Sequence, residues 1–249
     1  MSGSDDPGAW WEFQSPPDCC SYVPTETASL AYRVCAGLTA TQFRELLRRG
    51  WRRHGRHLFR PACPACVKCR SLRVDVTRFR PDRSQRRCLR RNQGTEVLFQ
   101  RPTVTPDHVR LYNAWHADMS LRRGWPFHPT DEEDYAEAFL PGEWEFAQEM
   151  LYVRDGRLIG VSLVDVVDDG LSSAYFYHDP GWRDLGPGTL SILQEIDFCR
   201  RTGRTHLYLG YWIAECPSMA YKANFGPHEV LERYVTDDEE PVWREAGGF

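Results

Sequence analysis

No stretch of the 249-residue chain approaches the roughly 18 consecutive apolar residues of a membrane helix, so none is expected. Lysine is almost missing: Lys68 and Lys222 are the only two among 31 basic residues. Collagen-like repeats and low-complexity tracts are missing too. The composition, 41% hydrophobic and 13% aromatic, is that of a folded domain protein. Residues Met1 to Asp6 are polar and acidic and lack the basic and apolar regions of a secretion signal, which predicts a cytoplasmic protein. An even set of cysteines is also lacking. There are nine, five of them clustered at Cys19, Cys20, Cys63, Cys66 and Cys69. In an unsecreted chain that reads as metal ligands and buried or reactive thiols, not a disulfide framework.

The length suffices to bury a core of roughly 70–75% of the unfolded surface. It fits one large domain or two small ones. The net charge of −4 conceals an asymmetry. Between Arg44 and Arg91 there are 17 Lys and Arg against 3 Asp and Glu, a local balance of +14, so the rest of the chain carries −18. Such a patch is the electrostatic footprint of a polyanion, with nucleic acid the usual partner. Arginine in place of lysine suits bidentate phosphate contact.

Along the chain, residues 1–17 read as a disordered or loosely docked tail. A strand is expected over Leu30–Val34. A helix follows, with Thr39 and Gln42 as a capping box and Gly50 at its end. Two short strands surround His54-Gly55, and Leu72–Val76 reads as another. Ser84 is expected to cap a short basic helix through Arg91. Helices are expected over Pro106–Leu121 and from Thr130 to Phe139. Strands over Met150–Val153, Leu158–Val167 and Leu171–His178 are separated by Asp155-Gly156 and Asp169-Gly170, both hairpin sequences. A helix over Leu190–Arg201, a strand over His206–Ile213 and an acidic, mobile tail after Asp237 complete the reading. The pattern predicts an α+β fold. The expected divisions are a tail (1–17), an N-terminal cysteine-rich and basic region (18–100), a C-terminal domain with a mainly antiparallel sheet (101–236) and an acidic tail (237–249).

Four constellations carry chemistry. Cys63, Cys66 and Cys69 at two-residue spacing supply three metal ligands, and Cys20 or Cys19 supplies a distant fourth for a structural zinc or an iron–sulfur cluster. The alternative is a compact turn without metal. Arg183-Asp184-Leu185-Gly186-Pro187-Gly188 lies between a strand and a helix. It matches the pyrophosphate loop of acetyl-CoA-dependent N-acetyltransferases, where backbone N–H groups hold phosphate. Asp165 shares a strand face with Ile159, Val161, Leu163 and Val167, where a charge is costly unless paired. A two-residue turn sets Ala174 opposite it, a three-residue loop Ser173, with Tyr175 and Tyr177 on the same face. Asp165 is either functional or the cap of a nearby turn. Finally, the aromatic strand end Tyr208–Ile213 runs into a loop with one cation, Lys222.

Together these pieces resemble the aminoacyl-tRNA–protein transferases. The resemblance rests on Cys20-Ser21-Tyr22-Val23-Pro24, Gly50-Trp51-Arg52-Arg53, Arg60-Pro61 with Cys63, Cys66 and Cys69, and Arg83-Ser84-Gln85-Arg86-Arg87. It continues in Asp165-Val166 and in Tyr208-x-Gly210-Tyr211-x-Ile213-x-x-Cys216-Pro217-x-Met219-x-Tyr221-Lys222. The match runs in order from about Cys20 to Pro227, and the bacterial aspartate/glutamate leucyltransferase branch is the most similar. It implies an N-terminal cysteine-bearing region and an acetyltransferase-like (GNAT-like) C-terminal domain. It also implies transfer of leucine from Leu-tRNA to proteins beginning with Asp or Glu, which marks them for degradation; arginine is the alternative donor. Eukaryotic members carry C-x-x-C near the start, whereas Val23 stands here at the second position.

On this reading Asp165 is the base or amine orienter, and Tyr175, Tyr177 and Tyr211 position substrate. Substrate binding falls to Arg52, Arg83, Ser84, Gln85, Arg86, Arg87, Arg90, Gly186, Gly188, Cys216, Tyr221 and Lys222. An aminoacyl ester is already activated, so no cofactor is required for the chemistry. The protein has to align ester and amine, accept a proton and stabilise an oxyanion. Two rivals are an acetyl-CoA-dependent N-acetyltransferase, which leaves the basic run unexplained, and a non-enzymatic zinc-dependent RNA-binding protein, which leaves the C-terminal half unexplained.

Overall fold

In the computed structural model, which describes residues 10–142 and 144–246, an eight-stranded sheet runs through the molecule. Its order is β14 (Trp243–Glu245), β13 (His228–Leu231), β7 (Arg70–Asp75), β12 (His206–Trp212), β11 (Gly170–His178), β10 (Arg157–Val166), β9 (Ala147–Arg154) and β8 (Glu96–Gln100). Every neighbouring pair is antiparallel except β11 and β12. A second, antiparallel sheet has the order β1 (Trp10–Gln14), β4 (Leu30–Cys35), β6 (His57–Pro61) and β5 (Arg52–His54). A two-residue ladder joins β2 (Asp18–Cys19) to β3 (Thr27–Ala28). The helices are α1 (Ala40–Arg48), α2 (Arg83–Arg91), α3 (Pro106–Arg123), α4 (Glu132–Phe139), α5 (Pro187–Arg201) and the single turn α6 (Pro217–Ala220). This mixed, mainly antiparallel architecture is the α+β class expected.

Strand alternation sorts the large sheet into two buried faces. Val164, Tyr152 and Leu171 point toward Leu190, Leu193 and Ile196 of α5 and toward Cys88 of α2. Val161, Leu163 and Tyr177 point toward Leu111 of α3 and toward Tyr135 and Phe139 of α4. A third cluster joins Phe43, Leu46 and Leu47 of α1 to Leu58, Trp144 and Phe146, and ties the small sheet to the large one. The expected boundary at residue 100 does not divide the structure. β7 and β8 both belong to the large sheet, and β7 sits between two strands from beyond residue 200.

Several local expectations are met. Thr39 and Gln42 form both bonds of the capping box, and Gly50 takes a φ of 85° just past the helix. A Cβ at Gly50 would also lie 2.4 Å from a Tyr234 ring carbon. Asp155 and Gly156 both have positive φ, as a type I′ hairpin turn requires.

Others need correction. The N-terminal tail is not loose throughout. Residues 1–9 lie outside the described residues, but β1 pairs with β4 over five positions. Trp10 holds it there by packing on the Arg33 guanidinium at 4.4 Å. The acidic C-terminus is likewise docked as β14, where Trp243 stacks on Arg73 at 4.4 Å and donates to the Arg48 carbonyl at 3.0 Å; residues 247–249 lie outside the described residues. In each case an aromatic–arginine contact anchors a chain end that polarity alone suggested was free. The α2 cap is Asp82, not Ser84, with a full capping box to Gln85. The helix expected from Thr130 starts later, at Glu132, with Asp131 as its cap. A bulge between Leu163 and Val164 places Asp165 opposite Ser172, so neither expected register holds.

The cap assignment is testable. Asp82→Ala should lower unfolding free energy by about 1 kcal/mol, the usual worth of such a cap, whereas Ser84→Ala should cost less than about 0.5 kcal/mol, as an uninvolved surface change does. Urea titration of both variants checks this.

Candidate active site

The parallel pair in the large sheet is short. Gly170 to Ser172 lie beside His206 to Tyr208, and the ladder then ends. Beyond it β12 bends toward β7 through an irregularity at Gly210, whose φ is 75°. Where β11 and β12 part, Arg52 fills the gap. It donates to the Tyr208 carbonyl at 3.2 Å and to the Ser173 carbonyl. A Cβ at Gly210 would sit 3.0 Å from the Arg52 guanidinium carbon, so glycine serves both the turn and the arginine. Burial pulls the Arg52 pKa down, against the pull of Tyr211, Asp165 and Glu195.

A cleft of about 680 Å³ opens at this split. One wall is Trp115, Met119, Arg122 and Arg123 from α3; the other is Tyr211, Met219, Tyr221 and Lys222. Its floor comes from Ser173, Tyr175, Gly188, Ser191, Ile192 and Leu209. Cations line it, and among the described residues no carboxylate does. Arg183 at its edge is already paired with Asp118.

Two ionisable groups flank the cleft, Lys222 half-buried and Glu195 buried. The Lys222 ammonium donates to the Tyr211 carbonyl at 2.6 Å. Burial first, then the charge of Arg52, pulls its pKa down to about 7, with Cys69 and Cys216 opposing. Glu195 is fully buried on α5. Its Oε1 accepts from Ser162 at 2.7 Å and from Ser173 and Ser191 at 3.2 Å each, while Oε2 has no partner. Burial pushes its carboxyl up to about 7, against the three hydroxyls and Arg52. Ser173 and Ser191 line the cleft, so the carboxyl reaches it through one hydroxyl. Sequence reasoning missed Glu195. The sign was there: it lies on the same helical stripe as Ile192, Ile196 and Cys199, where a lone carboxylate is out of place.

The sequence-derived residues fare unevenly. Arg52, Tyr175, Tyr211, Gly188, Tyr221 and Lys222 converge on the cleft. Tyr175 meets His116 Nε2 at 2.9 Å. Tyr211 spends its hydroxyl on the carbonyls of Gly50 (3.1 Å) and Phe59 (2.8 Å), so only its ring faces the cleft. Tyr177 does not reach the cleft. It is fully buried and bonded to the Tyr135 hydroxyl at 2.7 Å. Asp165 does not reach it either. Its Oδ1 is held by Arg53 Nη2 at 2.5 Å and Nε at 3.1 Å, a buried ion pair joining the two sheets.

On α2, Arg83, Ser84, Arg86, Arg87 and Arg90 are exposed, as a phosphate surface requires. Gln85 is not available, being buried and bonded to the Asn224 carbonyl at 3.0 Å. This helix packs on α5 through Cys88, whose thiol bonds the Gly186 carbonyl at 3.3 Å, so the basic surface lies beside the cleft. Gly186 caps α5 with a φ of 75° and no side-chain cap bond. Cys216 is buried against Ser218 at 3.1 Å and stands behind the lining.

Cys69 has its thiol pushed up to about 12 by burial and by nearby Cys63, Cys20, Cys66 and Cys216. The thiols therefore share one region. Yet Cys63 bonds the Ser29 carbonyl at 3.6 Å, Cys20 accepts from the Val23 amide at 3.4 Å, and no three ligand side chains converge as a metal site among the described residues. A metal would have to displace thiol protons and draw these side chains together. As placed, the thiols do not fit one.

The chain matches the model described as "Arginine-tRNA-protein transferase, N terminus" over residues 18–87 and its "C terminus" counterpart over residues 107–232. It is 36% identical over 237 residues to the aspartate/glutamate leucyltransferase of Helicobacter hepaticus, covering 95% of this chain and 98% of that one. The enzyme of the same name from Halorhodospira halophila is 39% identical over 216 residues, covering 86% and 90%. A crystal structure of FemX superposes over 92% of this chain and 89% of that chain with a TM-score of 0.51 at 9% identity, a likeness of fold alone.

Asp165→Asn should leave Arg53 charged and buried without its partner, and so cost about 3–5 kcal/mol of stability. Replacing both residues, Arg53→Met with Asp165→Leu, should recover most of that loss. Chemical denaturation of the two variants checks the assignment.

Proposed function

Because the chain belongs to the arginine-tRNA-protein transferase family, we propose that it moves leucine from leucyl-tRNA to the N-terminal amine of proteins that begin with Asp or Glu. The product is a cytoplasmic protein marked for proteolysis. The observation that carries the reading is the charge of the cleft. It offers cations to an acidic acceptor and apolar groups, Met119, Ile192 and Leu209, to an uncharged donor side chain. An arginyl donor fits less well, since among the described residues no carboxylate lines the cleft to pair with its guanidinium. The early parting of β11 and β12 beside the start of α5 supports an acetyltransferase-like domain in which an aminoacyl ester takes the place of acetyl-CoA. The exposed arginines of α2 suit tRNA phosphates.

The chemistry follows from the placement. The acceptor's α-amine has an ordinary pKa of about 7.7–8.0, so part of it is neutral near pH 7. Its nitrogen attacks the ester carbonyl carbon, the bond to the ribose oxygen breaks, and an amide forms. One amine proton leaves by way of Ser173 or Ser191 toward Glu195, whose affinity for it is matched to the working pH. The ribose oxygen takes up a proton as it departs. Lys222 reads the acceptor's side-chain carboxylate, with Arg52 adding charge behind it. Asp165 is left as a structural partner of Arg53.

Transfer of labelled leucine, against labelled arginine, from charged tRNA to a peptide beginning with Asp tests the reading directly. Leucine should be transferred in preference. Lys222→Met should remove the discrimination between peptides beginning with Asp and with Asn while leaving tRNA affinity intact. An acceptor carboxylate beside Lys222 raises its pKa from about 7. Binding near pH 7.5–8 should therefore take up protons in the parent protein and not in the variant, as calorimetry in buffers of different ionisation enthalpy would show.

Glu195→Gln should lower single-turnover transfer by about 100-fold or more. Its effect on stability has the opposite sign. A carboxyl raised to about 7 stabilises the fold below its ordinary value near 4.3, and that contribution is lost as pH rises toward 7. The variant should thus gain in melting temperature over the parent progressively between pH 4.5 and pH 8.

A further inference from the structure

The small sheet has two unlike faces. Its inner face carries Trp10, Arg33, Cys35 and Leu58, which pack into the body of the molecule. The outer face follows from the register. Phe13 lies opposite Tyr32, Tyr32 opposite Phe59, and Phe59 opposite Arg52, so these four side chains form one row across the four strands. Trp11, Val34, His57 and His54 form the row beside it.

The aromatic members are not a core. Trp11 is 68% exposed and Phe13 37%, and the face turns outward. They are nonetheless ordered into a ladder. Trp11 and Phe13 stack at 4.8 Å, and Phe13 and Tyr32 stack at 4.9 Å within 10° of parallel. Tyr32 meets Phe59 at 6.5 Å, and Phe59 meets the Tyr211 ring at 6.0 Å. Phe59, Tyr211 and Arg52 all line the cleft, so the ladder is one continuous track from open surface to the reacting centre. The exposed groups that flank it are His54, Arg56 and His57, with Asp134 and Glu137 lining the same cavity.

We infer that this track, Trp11–Phe13–Tyr32–Phe59, is the stacking platform for the unpaired 3′ nucleotides of the donor tRNA. The inference rests on the transferase reading above, which requires a nucleotide-borne ester in the cleft. The nucleotides attached to that ester must leave the cleft along some surface. Unpaired bases stack on aromatic rings whatever their sequence. A row of rings that begins in the cleft and emerges on an exposed sheet face is suited to that occupant. A second copy of the chain would also cover apolar rings, but it has no reason to follow them into the cleft.

The test uses the full chain with Trp11→Ala and Phe13→Ala, and Trp11→Phe as the conservative control. Both alanine variants should raise the KM for leucyl-tRNA about 5- to 100-fold, the range expected for a lost base–aromatic stack. The KM for the acceptor peptide and kcat should be unchanged. The salt slope of tRNA binding should also stay the same, because no phosphate contact is lost. Trp11→Phe should restore most of the affinity. A four-nucleotide single-stranded RNA, 5′-ACCA-3′, should quench tryptophan fluorescence in the parent and quench it less in Trp11→Phe.

An unchanged KM for leucyl-tRNA in both alanine variants overturns the inference. So does a Trp11→Ala protein that melts several degrees earlier, which marks the ring as packing, or one that sediments as a monomer where the parent is a dimer, which marks the face as a self-contact. A parent protein that transfers no leucine yet shows the Trp11-dependent quench with the RNA retains the platform and overturns the transferase reading instead.

Discussion

One buried cation determines where this molecule opens. Arg52 comes from the small sheet and is held between the carbonyls of Ser173 and Tyr208, at the point where two parallel strands stop pairing. Strand edges with unpaired carbonyls are ordinarily closed by water or another strand. Here a guanidinium does it, so the gap persists without being a defect. The cleft, and the cation that lines it at the split, are both consequences of that substitution. Gly210 is the permissive half of the arrangement, since a side chain there would displace the arginine.

The ion pair between the sheets, Arg53 with Asp165, is adjacent to Arg52 in sequence and opposite in kind. Neighbouring residues on a strand point to opposite faces, so Arg52 serves the cleft and Arg53 fixes the scaffold. The division explains why one carboxylate that looked reactive is structural and another, Glu195, stands one hydroxyl from the cleft. Both are buried. What separates them is the partner: Asp165 faces a guanidinium across a short contact, whereas Glu195 faces neutral hydroxyls and keeps a high proton affinity.

Local signals carried much of the fold. The alternation of β10 and β11, the α1 capping box and the Asp155-Gly156 turn are written in adjacent residues, and the structure follows them. What failed depended on distance. β1 and β14 look like polar tails because the arginines that hold them, Arg33 and Arg73, belong to remote strands. The bulge at Leu163 shifted the partner of Asp165 by a register that no turn length announces. The site was legible in parts for the same reason. The Tyr208-to-Lys222 segment put Tyr211, Tyr221 and Lys222 together because they are close in sequence. Glu195 joins them only through a helix packed on the far side of the sheet.

The position of β7 has a bearing on biosynthesis. The strand is made early, yet both its neighbours, β12 and β13, come from the last fifth of the chain. Until those segments leave the ribosome, β7 has two open edges. Loop closure over such a span is slow compared with local pairing. Assembly of the large sheet is therefore tied to completion of the chain, and a prematurely terminated product carries an unsatisfied central strand. Quality control of this protein is built into its topology: incomplete copies display the edge that aggregation and proteolysis act on.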